Sequence, residues 1–230
     1  MIRLVEEYAL TTKNLHKIYA QGTDMAVHAL KGIDIKIRKG EMVAIMGPSG
    51  CGKTTLLNLI GGIDLQTKGD IFVAGKDIST LTDEEMTKFR LFNIGYIFQL
   101  FNLFEFLSAL ENTVLPLFLT KATRFEAEEE AKMMLRQMGL GDKLHQLPGE
   151  LSGGEQQRVA VSRALLMNPT IILGDEPTGD LDNSTATDIM NLFVSINENY
   201  KQTFIIVTHS EHIAQFCHRI IRIVDGEIVD

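Results

Sequence analysis

The sequence is poor in cysteine, has no excess of basic residues and contains no long apolar run. Its 230 residues include only two cysteines, Cys51 and Cys217, which predicts reduced thiols in a cytosolic protein and disfavours a disulfide. The formal net charge at pH 7 is -8, and this acidic balance disfavours broad nucleic-acid binding. No apolar run approaches the ~20 residues that a membrane helix needs. We therefore expect no direct membrane insertion, so any membrane role depends on a partner protein.

The composition shows no break that would mark a second domain. The chain contains no linker, no low-complexity segment and no internal repeat, and its length suits one large domain or a domain with a subdomain. The mixed, charged N-terminus, Met1 to Glu7, has no apolar segment of signal-peptide length. We predict a single domain over residues 1–230, with no leader sequence and no C-terminal regulatory domain.

Short apolar runs recur along the chain and predict strands. Residues 42–46 are continuously apolar, as in a strand covered on both faces. Residues 33–38 alternate apolar and polar side chains, which predicts a half-buried strand. Similar apolar runs occur at 94–98, 171–173 and 204–207.

Helical patterns occupy the segments between these runs. Apolar spacing predicts a helix that contains Ile189, Leu192, Phe193 and Ile196. Two Thr-x-x-Glu capping boxes open further helices, at Thr82 with Glu85 and at Thr123 with Glu126. We place a helical subdomain at about residues 100–165, and Asp225-Gly226 predicts a closing β-hairpin. Strands that alternate with helices predict an α/β domain with a mostly parallel core sheet.

A phosphate-binding loop follows the apolar run at 42–46. Residues 47–54 fit the pattern G-x-x-x-x-G-K-[ST], in which backbone N–H groups surround phosphates. Lys53 is the expected contact to the β/γ-phosphates, the Thr54 hydroxyl is the expected Mg²⁺ ligand, and a helix opening near Gly52 adds its dipole. Bound MgATP is then expected to shield the Cys51 thiol from reagents. The predicted nucleotide-binding residues of this loop are Gly47, Pro48, Ser49, Gly50, Cys51, Gly52, Lys53, Thr54 and Thr55.

Polar residues directly follow each of the buried runs. If these runs are neighbouring parallel strands, Gly47, Gln99, Asp175 and His209 emerge at the carboxyl edge of one sheet, where open α/β sheets bind ligands. Asp175 is the expected Mg²⁺ ligand, and Glu176 can polarise a water for attack on the γ-phosphate. Adjacent residues at a strand end point to different sides, so the two carboxylates can hold separate roles. His209 fits a γ-phosphate sensor or water positioner, although a histidine taken singly is more often a surface or packed residue. The same argument applies less strongly to Gln99, since a polar residue at a strand end is common.

A second glycine-rich helix start lies at Ser152-Gly-Gly-Glu155. Its Ser-x-x-Glu pattern is a capping box, and a well-capped helix is the simplest interpretation. The bare N–H groups of Ser152, Gly153 and Gly154 at a helix N-terminus also suit an anion. Because a carboxylate would repel a γ-phosphate, we predict that Glu155 folds back onto its own cap and leaves the N–H groups for phosphate.

The segment 98–107 is rich in phenylalanine. Core packing is one explanation for Phe98, Phe101, Phe104 and Phe106. The other explanation is that some of these rings line a groove for an apolar helix of a partner. The residues alone leave both explanations open.

In their order, these motifs resemble those of the ATPase subunit of an ATP-binding-cassette (ABC) transporter, over nearly the whole chain. The resemblance implies a P-loop NTPase core with a mostly parallel sheet, an N-terminal antiparallel β subdomain and a helical signature subdomain. It implies catalytic roles for Glu176, His209 and Lys53, Mg²⁺ ligation by Thr54, Gln99 and Asp175, and nucleotide contacts from Gln99, Ser152, Gly153, Gly154 and Asp182. Tyr19 falls where the family places an aromatic ring that stacks on adenine. The matching segments are residues 47–54 (Walker A), Gln99 (Q-loop), 151–155 (signature), 171–176 (Walker B), 179–182 (D-loop) and His209 (switch histidine).

A narrower resemblance points to the subgroup of lipoprotein-release and macrolide-export ATPases. It rests on residues 59–64, on Thr67 and Gly69, and on residues 109–112 with Pro116-Leu117. Two positions depart from the family pattern. Glu155 stands where glutamine is commoner, a substitution familiar in this subgroup, and Gly174 stands where a larger apolar residue is usual, which we expect to loosen the strand end.

The resemblance also implies cofactors and partners. ATP and Mg²⁺ would bind between the two subunits of an ATP-dependent head-to-tail homodimer, at one copy's Walker A and the other's signature motif. A separate integral membrane permease would dock near Gln99 and the helical subdomain, and would hold the chain on the inner face of the cell membrane. Export or extraction of a substrate by that permease is the implied function.

Other functions compete with this one. A regulatory or mechanotransmitting ATPase that acts on a membrane protein without moving a solute would share every residue discussed. A DNA-repair cassette needs a long coiled-coil insertion and a translation cassette needs two cassettes in one chain, and the sequence shows neither. A monomeric P-loop kinase leaves residues 151–155 unexplained.

Overall fold

The structure, a computed structural model, describes residues 7–229. The expectations for residues 1–6 and for Asp230 fall outside this range. The strands are β1 (Tyr8–Tyr19), β2 (Val27–Ile33), β3 (Lys36–Arg38), β4 (Met42–Met46), β5 (Lys68–Val73), β6 (Lys76–Asp77), β7 (Ile94–Ile97), β8 (Ile171–Asp175), β9 (Thr203–Val207), β10 (Arg219–Val224) and β11 (Glu227–Val229). The α-helices are α1 (Lys53–Ile60), α2 (Asp83–Asn93), α3 (Ala109–Val114), α4 (Arg124–Gln137), α5 (Gly153–Leu165), α6 (Asn183–Tyr200) and α7 (Glu211–Ala214), with 3-10 turns at Leu115–Leu119 and Pro148–Glu150.

The larger sheet has the strand order β11-β10-β4-β9-β8-β7. Its strands β10, β4, β9, β8 and β7 are parallel neighbours, and only β11 pairs antiparallel, with β10. Every residue of β4 and β9 is buried, as the continuous apolar runs predicted for strands covered on both faces. The α/β class and the mostly parallel core are therefore confirmed.

The smaller sheet is antiparallel and has the order β2-β1-β5-β6, with β3 also paired to β1. The prediction of one strand over residues 33–38 is wrong, because Ile33 ends β2 and β3 begins at Lys36. At the break, the Thr12 hydroxyl accepts from the Ile35 N–H and donates to the Ile33 carbonyl, both at 2.9 Å, while the Thr12 N–H donates to the Ile35 carbonyl. The predicted alternation of burial survives, since Ile33, Ile35 and Ile37 are all buried.

Helix starts follow their predicted caps. The capping boxes at Thr82 and Thr123 are both formed, and α6 contains the apolar stripe predicted around Phe193. A separate apolar cluster joins α3, α4 and the first turns of α5, and includes Leu135, Leu151 and Val159. This cluster supports a helical subdomain within about residues 100–165, although the boundaries stay a prediction. Among the described helices, none combines the length and the apolar character that crossing a membrane requires.

The strand end at Gly174 is tightly packed. Gly174 is buried and lies between Ile97 of β7 and Ile206 of β9. A Cβ atom at Gly174 would stand 3.1 Å from the Pro177 Cγ. The expectation of a loosened strand end is wrong, because Gly174 is buried and packs closely against Pro177.

Candidate functional site

The carboxyl ends of β4, β9 and β8 open into one cavity of about 480 Å³. Parallel neighbours end at the same edge of a sheet, which is where ligands bind in open α/β folds. The predicted site residues that line this cavity are Ser49, Gly50, Gly52, Lys53, Thr54, Thr55, Asp175 and Glu176.

The phosphate loop wraps around the first turn of α1. Gly52 is the N-cap of this helix and makes no side-chain cap hydrogen bond, so the first N–H groups are left for an anion. The Lys53 ammonium donates to the carbonyls of Gly47 and Pro48, each at 2.9 Å. Gly52 has φ 107, and a Cβ there would stand 2.5 Å from the Ala29 carbonyl oxygen. The backbone can adopt this close, left-handed path only because the residue is glycine.

Thr54 and Asp175 face each other across the cavity floor. The Thr54 hydroxyl donates to Asp175 Oδ1 at 3.2 Å. Burial raises the pKa of Asp175, the Glu176 charge raises it further, and the Thr54 hydrogen bond and the Lys53 charge oppose the rise. Among residues 7–229 no group of three His, Cys, Asp or Glu side chains could hold a metal. One carboxylate and one hydroxyl suit Mg²⁺, which keeps waters and takes its other ligands from substrate phosphates.

Asp175→Asn is expected to raise the Tm of the nucleotide-free protein by a few degrees at pH 7.5. The variant removes a half-buried charge and keeps an oxygen that accepts from Thr54. Folding raises the pKa of Asp175, so its charge destabilises the folded state increasingly as the pH rises above the pKa that Asp175 has in the unfolded chain. The difference in Tm between the variant and the wild type should therefore vanish near pH 4. Mg²⁺-dependent ATP binding should weaken, by about tenfold or more. Thermal unfolding at both pH values measures the effect on stability, and titration with ATP, with and without Mg²⁺, measures the effect on binding. A lower Tm for the variant than for the wild type at pH 7.5 would contradict the predicted stabilisation.

Glu176 and His209 form the second polar pair of the site. The His209 Nδ1 lies 2.8 Å from Glu176 Oε1. Glu176 has φ 47, an uncommon conformation for this residue, and its N–H donates to the Val207 carbonyl of β9 at 3.0 Å. Asp175 therefore turns toward Thr54 while Glu176 turns toward His209, which matches the predicted separation of the two carboxylates.

Gln99 and Asp182 lie apart from the Thr54–Asp175 pair. The Gln99 amide donates from Nε2 to Asp180 Oδ1 at 3.1 Å, and Gln99 does not line the cavity. The carboxylate of Asp182 caps α6, where it accepts from the backbone of Ser184 and Thr185. The structure does not bring either residue to the site where Mg²⁺ ligation or nucleotide contact was predicted.

Tyr19 and Cys51 were both predicted to contact the nucleotide, but neither lines the cavity. Tyr19 lies opposite Val27, a cavity-lining residue, at the end of β1 and is 38% exposed. Cys51 is only 4% exposed and packs into the core under the loop, where its Sγ lies 3.8 Å from the Lys53 ammonium. The expectation that MgATP shields the Cys51 thiol is wrong, since the fold already shields it.

The signature segment starts α5 outside the cavity. Glu155 Oε2 accepts from the Ser152 N–H at 2.8 Å, the Glu155 N–H donates to Ser152 Oγ at 3.3 Å, and Lys143 lies 3.8 Å from the carboxylate. The backbone hydrogen bond from Ser152 is the main cause that lowers the pKa of Glu155. The predicted fold-back of Glu155 is thus present, and Ser152 is exposed. The expectation of a bare Ser152 N–H is wrong, because the folded-back carboxylate accepts from that group.

The sequence did not identify several residues of the site. His28, Lys31 and the Asp225-Gly226 turn also line the cavity. Asp225 directly follows β10, a parallel neighbour of β4, so the strand-end argument applied to Gly47 would have found it. Gln157, which is fully buried in α5, donates to the Pro177 carbonyl and ties the signature helix to the segment after Glu176. No pattern in the sequence marks that contact.

Known proteins resemble the chain over most of its length. A family model described as ABC transporter matches residues 30–179. The lipoprotein-releasing system ATP-binding protein LolD of Bacteroides thetaiotaomicron is 45% identical over 203 residues, which are 88% of this chain and 93% of that protein. The macrolide export ATP-binding/permease protein MacB of Rhodopirellula baltica is 44% identical over 218 residues, 94% of this chain and 32% of that protein.

Solved structures agree with these relatives. A dimeric post-hydrolysis state of an ATP-binding cassette bound to ADP and Pi superposes with a TM-score of 0.87 at 42% identity, and the match covers 96% of this chain and 97% of that one. The fold of P-loop core, antiparallel sheet and helices is therefore that of ABC ATPases, and the narrower resemblance to lipoprotein-release and macrolide-export proteins is confirmed. This chain belongs to the ABC transporter family, as one of its ATP-binding and ATP-hydrolysing subunits.

Proposed function

We propose that this chain powers export or extraction of a substrate by a separate membrane permease, through ATP-driven closure of a homodimer. The proposal rests on the observation that the residues needed for hydrolysis lie at two separate places on the chain. Lys53, Thr54, Asp175 and Glu176 line the cavity, and His209 contacts Glu176 from outside that lining, whereas the helix start at residues 152–155, with Ser152 exposed, lies elsewhere on the same chain. A head-to-tail pair of chains would bring one copy's helix start to the other copy's cavity. The dimeric relative bound to ADP and Pi supports this arrangement.

Five polar residues of the site have distinct chemical roles in the proposal. Lys53 binds the β/γ-phosphates of ATP, and Thr54 and Asp175 hold Mg²⁺, which supplies positive charge to the phosphates when bound. Glu176 accepts the proton of the attacking water, and His209, at 2.8 Å, orients the Glu176 carboxylate. A base positioned this way contributes about 10² to 10⁴ to the rate.

The helix start at residues 152–155 completes the site of the second copy. The Gly153 and Gly154 N–H groups and the macrodipole of α5, a helix of 13 residues, attract a phosphate, whereas the Ser152 N–H is bonded to Glu155. Glu155 is bound to its own cap and lies near Lys143, so its charge is turned away from the phosphate and partly balanced. The closed dimer is stabilised by ATP only to the extent that it binds ATP better than separate chains do.

The loop after Gln99 is the proposed docking surface for the permease. Leu100, Phe104 and Phe106 are 73%, 49% and 75% exposed, so core packing does not explain these two rings. Asn112 holds the loop in place: its Oδ1 accepts from the Phe104 N–H at 2.8 Å and its Nδ2 donates to the Leu107 carbonyl at 2.8 Å. Rigidly displayed apolar side chains suit an apolar helix of a membrane protein. This docking would hold the chain on the inner face of the membrane.

Phe104→Ser with Phe106→Ser is expected to abolish co-purification with a permease from detergent-solubilised membranes of the source cells. Basal ATP hydrolysis should stay within about twofold, because surface substitutions away from packed features have small effects. Tyr200→Ser is the matched control: Tyr200 is 69% exposed at the far end of α6 and should change neither measurement. Co-purification at the wild-type level by the double variant would contradict the docking surface.

A further inference from the structure

Three side chains form a closed cluster where β1 ends, at the rim of the cavity. Asp64 Oδ2 accepts from the Tyr19 hydroxyl at 2.9 Å, and Asp64 Oδ1 accepts from the Lys17 ammonium at 2.6 Å. The same ammonium lies 4.7 Å from the centroid of the Tyr19 ring. The side chains of Lys17 and Asp64 are 12% and 29% exposed, so the ion pair is largely withdrawn from solvent. One carboxylate thus fixes both the ring's hydroxyl and the cation over the ring's face.

Asp64 is attached to the helix that carries the phosphate contacts. The N–H groups of Ile63 and Asp64 both donate to the Asn58 carbonyl in the last turn of α1, at 2.8 and 3.2 Å. Burial opposes ionisation of Asp64, but hydrogen bonds from Lys17, Tyr19 and the Leu65 backbone outweigh it and hold its pKa below the usual value. The carboxylate is therefore charged at neutral pH and sits at the opposite end of α1 from Lys53.

The end of β1 is tied to the same loop by its backbone. The Lys17 ammonium also donates to the Leu65 carbonyl at 2.7 Å, and the Ile18 N–H donates to the Thr67 hydroxyl at 2.9 Å. The Thr67 N–H donates to the His16 carbonyl at 2.9 Å. These bonds fix the position of Tyr19 relative to α1, so the cluster is connected to the phosphate loop through one helix and its following loop.

We propose that Asp64 and Lys17 are positioning residues for the base of a purine nucleotide. The inference rests on the proposed role of Tyr19 as the ring on which the base stacks. Lys17 occupies one face of the ring and 38% of Tyr19 remains exposed, which leaves area for a base. A ring already fixed by Asp64 loses little conformational entropy when a base stacks on it. The carboxylate therefore sets affinity for the base and leaves the phosphate contacts unchanged.

A double-mutant cycle between Tyr19→Phe and Asp64→Ala tests this positioning. Tyr19→Phe keeps the ring and removes only the hydroxyl that binds Asp64. Each variant should raise the Kd for ATP about fivefold, the size expected when binding must immobilise one freed side chain, and the double variant should be no weaker than either single one. The Kd for inorganic tripolyphosphate should stay within about twofold, since it has no base. In steady-state assays KM should rise while kcat at saturating ATP stays unchanged.

Two controls separate the possible failures. Lys13→Ala removes a cation that lies 4.9 Å from the Phe72 centroid, a matched contact on the same strand away from the cavity, and should leave the ATP Kd unchanged. Tyr19→Ala must weaken ATP binding, because an unchanged Kd would overturn the role of Tyr19 and the inference with it. If Tyr19→Ala weakens ATP binding while Tyr19→Phe and Asp64→Ala leave the ATP Kd unchanged, the positioning role of Asp64 is overturned but the role of Tyr19 stands. Equal weakening of ATP and tripolyphosphate binding would show a merely structural effect and would also overturn it.

Discussion

Glu176→Gln is expected to lower kcat for ATP hydrolysis by about a thousandfold while the ATP Kd changes little. Glutamine keeps the size of the side chain and an oxygen that can face His209, whose Nδ1 lies 2.8 Å from Glu176 Oε1. It cannot accept the proton of the attacking water. The residues proposed to bind phosphate and Mg²⁺, Lys53 and Thr54 with Asp175, are not altered. Steady-state hydrolysis and equilibrium ATP binding measure the two effects separately.

The same variant is expected to accumulate an ATP-bound dimer on a sizing column, because closure precedes the step that is blocked. Glu211→Gln is the matched control: Glu211 lies near the same sheet edge, pairs with Arg222 at 2.9 Å and should keep wild-type turnover. A Glu176→Gln chain that stays monomeric in saturating MgATP would contradict ATP-driven closure. Full specific activity of the wild-type chain at dilutions where only monomers exist would contradict it as well.

The parts of this fold that the sequence predicts well are those that depend on local patterns of residues. The apolar runs at β4 and β9 are continuous because both faces of those strands are covered, and such burial leaves an unambiguous pattern. Once those strands are parallel neighbours, the placement of Asp175, Glu176 and His209 at one edge follows from geometry. The Glu155 fold-back was equally accessible, since a capping box involves only residues three apart.

Contacts between distant segments account for what the sequence did not predict. Gln99 pairs with Asp180, and the break between β2 and β3 depends on a hydroxyl of β1. The Cys51 thiol faces the core because of how the loop turns, which the order of residues in the motif does not specify. The exposed Phe106 lies in a loop that is held by Asn112, whose amide donates to the carbonyls of Phe104 and Leu107. In each case a tertiary contact decides the outcome, and a single sequence carries no local signal for it.

The closing hairpin supports the phosphate loop in a way that only coordinates reveal. The Gly226 N–H donates to the Cys51 carbonyl at 3.1 Å, and the Lys31 N–H donates to the Gly226 carbonyl at 2.9 Å. A Cβ atom at Gly47 would overlap the Ile223 carbonyl oxygen of β10 and would stand 2.7 Å from the Cys51 Sγ. The loop can rest on the hairpin strand only if residue 47 has no side chain.

Gly47→Ala is therefore expected to lower the free energy of unfolding by about 3 kcal/mol, the upper range for inserting a methyl group into a packed site. At roughly 2–4 °C per kcal/mol for a chain of this size, the Tm should fall by about 6–12 °C. ATP affinity should fall more than about tenfold, since the loop must move away from β10 and carry with it the carbonyls that hold Lys53.

Gly50→Ala is the matched control within the same loop. Gly50 has φ 78, and a Cβ there meets nothing within 4 Å, so this variant reports backbone strain without crowding. Its cost should be about 1 kcal/mol, the usual penalty for a side chain in the left-handed region. Thermal unfolding of both variants separates the two causes: a Tm loss for Gly47→Ala that equals the loss for Gly50→Ala would mean that strain alone is measured. The hairpin would then have no part in holding the loop against the sheet.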